Sequence, residues 1–223
     1  MADGEVLISE DFEGYDEGAP PGEDWWVEGG QAVAVEAGRL RVRANPEGQA
    51  QPGYVCTVWH KTPLSGDLTV TCDTQVIAST VKANNVNFFL LYSDPGGQPL
   101  YDTRGSRTQA AYADYHDLNG YIFTFLNDWR AEGGKHPDGG TQARFRMRRC
   151  PGFQLMTETY GSDCRAGKTY HVAITRRGGE LTFAVDGQVY LRGEDPEPLA
   201  EGLFGFRTFQ TDLWWDNLKV VRG

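Results

Sequence analysis

The feature that most constrains this chain is the alternation of apolar and polar residues over short segments separated by glycine and proline. In the segment GRLRVRA, Leu40 and Val42 take one phase and the arginines take the other, as in a strand with one face in water. No helical period extends along the chain, and its 28 Gly and 11 Pro are spread evenly between such segments. The pattern predicts an all-β protein, either a sandwich or a barrel.

The clearest group of strands is a meander in TYHVAITRRGGELTFAVDGQVYL, where Asp186 and Gly187 suit a tight hairpin turn with positive φ angles. Further strands are predicted for DLTVTCDTQVI, NNVNFFLLY, GYIFTFLND, ARFRMRRC and GFQLMTETY. A total of about a dozen strands exceeds an immunoglobulin sandwich and favours a jelly roll of two curved antiparallel sheets. Since neither a linker nor an internal repeat interrupts the pattern, we expect a single domain over residues 1–223.

Composition narrows the class of partner. The net charge of -10 argues against binding to nucleic acid or to an anionic membrane surface, although a local arginine cluster would still accept a polyanion. No apolar run approaches the roughly 20 residues that cross a bilayer, and the first residues, MADGEV, do not resemble a signal peptide. We therefore expect a soluble protein and leave its compartment open.

The four cysteines lie far apart, without a C-x-x-C pair or a histidine at ligand spacing, so a zinc site is not expected. Two alternatives remain for them. They are buried free thiols, or Cys150 and Cys164, which flank one predicted hairpin, form a disulfide in an oxidising compartment. The sequence also has no nucleotide-binding glycine loop, G-x-S-x-G elbow or H-E-x-x-H motif, which sets aside phosphate, esterase and zinc-protease functions.

Both ends of the chain carry a recognisable pattern. ISEDFEG at residues 8–14 and GLFGFRTFQTDLWWDNLKV at residues 202–220, together with GGELTFAVDG, resemble the concanavalin A-like lectin/glucanase jelly roll. In that fold the first and last strands lie together. The resemblance spans nearly the whole chain, and it implies a fold more than a function.

A narrower resemblance lies in the middle of the chain. YHDLNGY, followed by RFRMRRCPGFQL, resembles the YesU-like family of bacterial domains of unknown function, galectin-like sandwiches associated with sugar and pectin use. The positions in keeping with that pattern are Tyr115, His116, Asn119, Arg148, Gly152 and Phe153. The resemblance implies a carbohydrate ligand and no particular reaction.

The polar residues just before an aromatic strand are the leading candidates for chemistry, because loops on a rigid sheet commonly carry function. β-Elimination of a uronate requires a group that neutralises the sugar carboxylate, a base for the C5 proton and an acid for the leaving oxygen. Arg148 with Asn119 would fill the first role, His116 the second and Tyr115 the third. Of the other histidines, His60 is the second choice, while a surface turn and an outward strand position are predicted for His136 and His171.

The arginine-rich strand RFRMRRC has two interpretations. In an acidic protein it suits a local anion-binding site, and the alternative is a solvated strand face on which Arg144, Arg146 and Arg148 share one phase. Three like charges in a row repel one another unless acids or a ligand lie opposite. We therefore expect a negative group near this strand.

Sugars stack on aromatic rings and hydrogen-bond to polar side chains on the concave face of such folds. The residues expected to bind substrate are Asn119, Tyr121, Arg146, Trp59, Trp26, Gln154 and Glu158. For each tryptophan the alternative is burial in the core. Both phases of GYIFTFLND are apolar, which fits either a central strand buried on both faces or a strand that walls a groove.

Two other functions compete with elimination. Hydrolysis uses two carboxylates that flank the glycosidic bond; the paired-acid motif of jelly-roll glucanases is missing, which leaves Glu158 with Asp114, Asp117 or Asp128. A non-catalytic carbohydrate-binding module needs the aromatic residues and the arginines but no base. Polysaccharide degradation by a lyase is the leading hypothesis, with the glycoside hydrolase and the binding module as alternatives.

No cofactor is required by these schemes, but a structural calcium ion is a further candidate. Jelly rolls often bind calcium where the end strands meet, and Asp11 with Asp216, supported by Glu10 and Asn217, would supply oxygen ligands there. The alternative is that Asp216 and Asn217 form a β-bulge.

Overall fold

The computed structural model describes residues 4–44, 53–79, 84–127 and 143–223. Its strands, in chain order, are β1 (Glu5–Glu10), β2 (Trp25–Gly29), β3 (Ala32–Glu36), β4 (Arg39–Ala44), β5 (Val55–His60), β6 (Leu64–Ser65), β7 (Leu68–Ser79), β8 (Val86–Ser93), β9 (Asn119–Asn127), β10 (Ala143–Cys150), β11 (Gln154–Gly161), β12 (Thr169–Arg177), β13 (Glu180–Val185), β14 (Gln188–Glu194), β15 (Glu201–Phe209) and β16 (Thr211–Arg222). Two 3₁₀ helices, Arg104–Arg107 and Tyr112–Tyr115, lie between β8 and β9. Across these ranges there is no helix long and apolar enough to cross a membrane.

The strands form two antiparallel sheets of eight strands each, which confirms the predicted all-β jelly-roll sandwich. The front sheet has the order β11-β10-β9-β8-β15-β5-β2, with β6 paired to β15. The back sheet has the order β14-β13-β12-β7-β16-β4-β3, with β1 paired to β16. The first and last strands therefore lie together, as the pattern at the two ends of the chain predicts.

The two sheets enclose the main core through the alternation that the sequence shows. Leu40 and Val42 of β4 are fully buried, and the predicted meander forms β12, β13 and β14. Asp186 and Gly187 join β13 to β14 with φ angles of 51° and 79°, as a primed hairpin turn requires. Strand β9 is a central strand buried on both faces, which decides between the two interpretations of its apolar pattern.

All four cysteines are buried and free, so the disulfide between Cys150 and Cys164 is not formed. The Cys150 sulfur lies 3.3 Å from the hydroxyl of Tyr92, and the Cys164 thiol donates to the carbonyl oxygen of Asn84. Each thiol has its own polar neighbour in a different part of the sandwich. The alternative of buried free thiols is the one that the structure shows.

A second apolar cluster lies on the outer face of the front sheet. Residues in register across five strands place Trp26, Trp59, Gly205, Phe89 and Ile122 in one row. Gly205 is required there, since a Cβ atom at this position would lie 2.6 Å from the Trp59 ring. Residues 94–118, here called the covering segment, pack Leu100, Tyr115 and Leu118 onto this row.

A buried carboxylate fixes the covering segment to the sheet. Glu28 Oε1 accepts from Trp26 Nε1 at 3.2 Å and from Arg107 Nε at 3.1 Å, and its Oε2 accepts from Trp59 Nε1 at 2.9 Å and from the Tyr115 hydroxyl at 2.6 Å. We call these five residues the Glu28 clamp. Two of its donors come from the sheet and two from the covering segment, so the clamp closes one part of the outer face.

Removing this carboxylate should therefore destabilise the fold. We expect Glu28→Ala to lower the free energy of unfolding by about 3–5 kcal/mol, because it leaves the buried Arg107 guanidinium without its counter-charge. Urea denaturation followed by circular dichroism measures the change. The matched control is Glu5→Ala, which removes an exposed ion pair with Arg222 and should cost less than about 1 kcal/mol. Equal losses for the two variants would contradict the role assigned to the clamp.

Candidate functional site

A line of polar side chains crosses the whole outer face of the front sheet. Residues of the same phase on paired strands lie side by side, and the register of the seven strands aligns one such residue from each. From one edge to the other they are Glu158, Arg146, Thr124, Asn87, Arg207, Thr57 and Glu28, here called the polar row. Polar residues are unusual on central strands, so the polar row is a candidate for a functional site.

One half of the polar row is closed by the covering segment. Arg207 is only 3% exposed, and its guanidinium donates to Thr57 Oγ1 at 2.7 Å and to the Ala110 carbonyl oxygen at 3.1 Å. Its Cζ atom lies 4.8 Å from the centre of the Tyr115 ring. Together with the Glu28 clamp, these contacts satisfy the polar groups of this half within the protein.

The other half of the row, which consists of Glu158, Arg146, Thr124 and Asn87 and is here called the open half, contains buried polar atoms that have no partner in the protein. Within the described ranges, eight buried side-chain nitrogen or oxygen atoms lack a hydrogen bond, and five of them gather here. Three of these atoms, Asn87 Oδ1, Thr124 Oγ1 and Arg146 Nε, belong to the polar row, and the Tyr112 hydroxyl oxygen and Arg148 Nε lie beside it. Since buried polar atoms in proteins are nearly always hydrogen-bonded, such a concentration makes this part of the surface the candidate site.

Two of these five atoms belong to neighbouring arginines of β10. Glu158 stands opposite Arg146 in register, yet its carboxylate turns to Arg144, whose Nη2 donates to Glu158 Oε2 at 2.6 Å. Among the described residues, Arg146 and Arg148 form no ion pair. Burial and the nearby Arg148 and Arg144 charges lower the pKa of Arg146 to about 10, and burial is the first cause that lowers the pKa of Arg148. A bound anion would relieve this penalty on the charged forms.

Aromatic rings border the two arginines. Tyr112 stacks on Phe153, with ring centres 4.0 Å apart and an interplanar angle of 21°. The Arg148 Cζ atom lies 5.2 Å from the Tyr112 ring centre and 5.9 Å from that of Phe153. Burial raises the pKa of Tyr112, against the opposite effect of Arg148, Arg146 and Arg207, so its hydroxyl keeps its proton near neutral pH.

His116 lies on the rim of this aromatic pair. Its ring meets Phe153 edge-on, with centres 5.2 Å apart, and its carbonyl oxygen accepts from the backbone N–H of Gly152 at 2.8 Å. The imidazole is half exposed, and its Nδ1 lies 2.6 Å from Asp117 Oδ1. The structure therefore brings His116 and Arg148 against the same Phe153 ring, so the two side chains share one part of the surface.

Four aromatic residues predicted to act on substrate are instead enclosed in the protein. Tyr115 is fully buried and donates to Glu28, and burial with the nearby Glu28 charge raises its pKa well above the usual value. Trp26 and Trp59 lie under the covering segment with their indole N–H groups bonded to the same carboxylate. Tyr121 faces the inner core and donates to Asp195 Oδ2 at 2.6 Å. These four assignments are corrected, because all four side chains are buried within the protein.

The remaining predicted site residues lie at the edges of the surface. Asn119 shares the phase of Tyr121, on the inner side of β9, and its Nδ2 is 3.5 Å from Ser93 Oγ, so it does not assist Arg148. Gln154 is exposed on β11, where its Nε2 lies 3.4 Å from the Pro151 carbonyl oxygen. Glu158 is paired with Arg144.

The described acids of the hydrolytic alternative have separate surroundings. Glu158 is held by Arg144, while Asp114 and Asp117 are exposed on the covering segment. Asp128, like His136, lies outside the described residues. Nothing in the described part of the chain therefore supports the two-carboxylate arrangement.

The proposed calcium ligands do not fit a cage. Asp11 Oδ1 accepts from the backbone N–H of Glu13, and Asp216 Oδ1 accepts from that of Asn217. Over the ranges that the structure describes, no three acidic, histidine or cysteine side chains gather around one point. The pairing of β16 with β7 shifts between Asp216 and Lys219, so the alternative of a bulge is the one observed.

The two other described histidines have structural surroundings. His60 is buried, its Nδ1 accepts from the backbone N–H of Thr62 at 3.1 Å, and burial lowers its pKa. His171 is exposed on the back sheet, with its Nδ1 2.9 Å from Asp73 Oδ1. Neither lies on the polar row.

Sequence reasoning missed five residues that define the surface. They are Glu28, Asn87, Tyr112, Thr124 and Arg207. A signal for three of them was present, since Asn87, Thr124 and Arg207 are polar residues within strands that are largely apolar. In a sheet, such positions on neighbouring strands predict a line of polar groups once the strand order is known.

Comparison with solved structures gives the fold. A Bacillus subtilis protein of unknown function with a galectin-like fold has a TM-score of 0.73 and 20% identity, and the alignment covers 99% of each chain. The carbohydrate binding module CBM66 from Bacillus subtilis has a TM-score of 0.58 and 15% identity over 89% of this chain and 95% of that one. The Emp47p carbohydrate recognition domain has a TM-score of 0.66 and 12% identity over 100% of this chain and 98% of that one.

Sequence comparison gives the family. No curated protein matches the chain. The resemblance to the YesU-like domains stays a prediction. A family model described as Domain of unknown function (DUF6250) matches residues 51–218, which is most of the chain, and the protein belongs to this family.

Proposed function

We propose that the protein binds a uronate-containing saccharide on the open half of the polar row, where Arg146 and Arg148 hold the carboxylate. The observation that carries this proposal is the pair of half-buried guanidinium groups without an acid partner in a protein of net charge -10. Guanidinium and carboxylate groups match in geometry, and the pair is strongest where water is partly excluded.

A saccharide is favoured over other carboxylates by two observations and one resemblance. Two proteins of similar fold are described as a carbohydrate binding module and a carbohydrate recognition domain. The stacked rings of Tyr112 and Phe153 border the arginines, and rings of this kind pack against the C–H faces of sugars. The resemblance to YesU-like domains, associated with sugar and pectin use, points to the same ligand class.

Cleavage by β-elimination extends this proposal. His116 would remove the C5 proton, and the released electron pair would form the C4–C5 double bond as the bond from C4 to the leaving oxygen breaks. The charge that develops next to the carboxylate would be stabilised by Arg146 and Arg148. Tyr112, whose hydroxyl has no protein partner, takes the role of proton donor to the leaving oxygen that the sequence assigned to Tyr115. A non-catalytic binding module is the alternative, since it needs the same cations and rings but no base.

The arginines are tested by neutral replacements. We expect Arg146→Gln and Arg148→Gln each to weaken the binding of an oligogalacturonate about tenfold to hundredfold, because each removes charge-assisted hydrogen bonds to the carboxylate. Isothermal titration calorimetry measures the affinity. The control is Arg192→Gln, which removes an exposed arginine of the back sheet paired with Glu180 and should leave binding unchanged. Full affinity in both β10 variants would overturn the proposed site.

The base is tested separately. We expect His116→Ala to abolish release of unsaturated product, followed by its near-ultraviolet absorbance, while calorimetry shows the affinity of the wild type. Loss of turnover alone indicates a base, because a residue that only binds would change the affinity as well. The control is His171→Ala on the back sheet, which should keep full activity. If the wild-type protein binds oligouronates and releases no unsaturated product, the elimination is wrong and the binding module stands.

A further inference from the structure

Two further partnerless groups lie beside the arginines, at the floor of the open half of the polar row. Asn87 of β8 and Thr124 of β9 are direct partners in register, and Thr124 is in turn the partner of Arg146. They are 7% and 1% exposed. Since β8 and β9 are central strands, each paired on both sides, the backbone positions of both residues are fixed by the sheet.

The direction of the Asn87 amide is set by its neighbour. Its Nδ2 donates to Asn85 Oδ1, which leaves Oδ1 as an acceptor without a donor. Arg207, the partner of Asn87 on the other side, sends its N–H groups to Thr57 and Ala110 instead. The Thr124 hydroxyl likewise has no partner.

The unsatisfied groups of the site therefore have a definite chemical pattern. Arg146 and Arg148 are donors only, and the hydroxyls of Tyr112 and Thr124 both donate and accept. Asn87 Oδ1 only accepts, so it needs a donor from the ligand. A ligand that satisfies the whole set carries an anion and, a short distance away, a hydroxyl.

We infer that Asn87 and Thr124 form a specificity element that recognises a ring hydroxyl next to the carboxylate held by the arginines. The inference rests on the proposed function and assigns recognition of a uronate hydroxyl to these two residues. Inorganic sulfate, which only accepts hydrogen bonds, leaves Asn87 Oδ1 unsatisfied and binds through the arginines alone. Without ligand, the buried hydroxyl of Thr124 has no hydrogen-bond partner and lowers the stability of the protein.

The inference is tested by removing the Thr124 hydroxyl, which should raise the stability of the protein and lower its affinity for the ligand. Thr124→Val keeps the shape of the side chain and removes the partnerless oxygen. We expect it to raise the thermal unfolding midpoint and to weaken D-galacturonate binding about tenfold, while sulfate binding stays unchanged. The matched control is Thr74→Val in the back sheet, where the buried hydroxyl donates to the Trp214 carbonyl oxygen at 2.9 Å. It should lower the midpoint and leave both affinities unchanged.

The outcomes separate this inference from the proposed function. If Arg146→Gln weakens galacturonate binding and Thr124→Val does not, the specificity element is wrong and the arginine site stands. If the wild type binds galacturonate no better than sulfate, the inference is likewise overturned. If the wild type binds no uronate at all, the proposed function itself fails. Asn87→Leu, which removes the acceptor, is the second variant and should also reduce galacturonate binding about tenfold.

Discussion

The surface of the front sheet depends on one buried carboxylate. Glu28 lies on an edge strand, yet four donors from its own sheet and from the covering segment satisfy both of its oxygens. A buried charge is tolerated only when it is paired and fully hydrogen-bonded, so these contacts must form together. They hold the covering segment over the row of Trp26, Trp59 and Phe89. The covering segment encloses one half of the polar row and leaves the other half open.

The two halves of the polar row differ in whether their buried polar groups have partners in the protein. Arg207 finds two acceptors and several rings, whereas Arg146 and Arg148, on the same face, lack an acid within the described part of the protein. Uncompensated polar groups lower the stability of the free protein, and proteins keep them mainly where function requires it. Their concentration in one place is a stronger argument for a ligand than any single residue there.

The fold could be predicted because most strands alternate, and the missed strands show the limit of that signal. Strand β5 is buried at all six positions and so has no alternation, while β2, β3 and β6 are only two to five residues long. The site was predicted in part, since His116 and Arg148 do meet around Phe153. Tyr115 was predicted to face a ligand, but it is buried against Glu28, whose carboxylate lies 87 positions earlier in the chain, and Tyr112 of the same 3₁₀ helix borders Arg148 instead. Such a long-range contact leaves no trace in the local sequence.

Tyr112 lies between two fixed points of the covering segment. Arg107 and Tyr115, which anchor the covering segment, lie on either side of it in the chain, so the residues between two fixed points form the wall of the open surface. Substitutions in that short stretch would reshape the wall and leave the anchors intact. The shape of the surface next to Arg148 is therefore separable from the contacts that hold the covering segment in place.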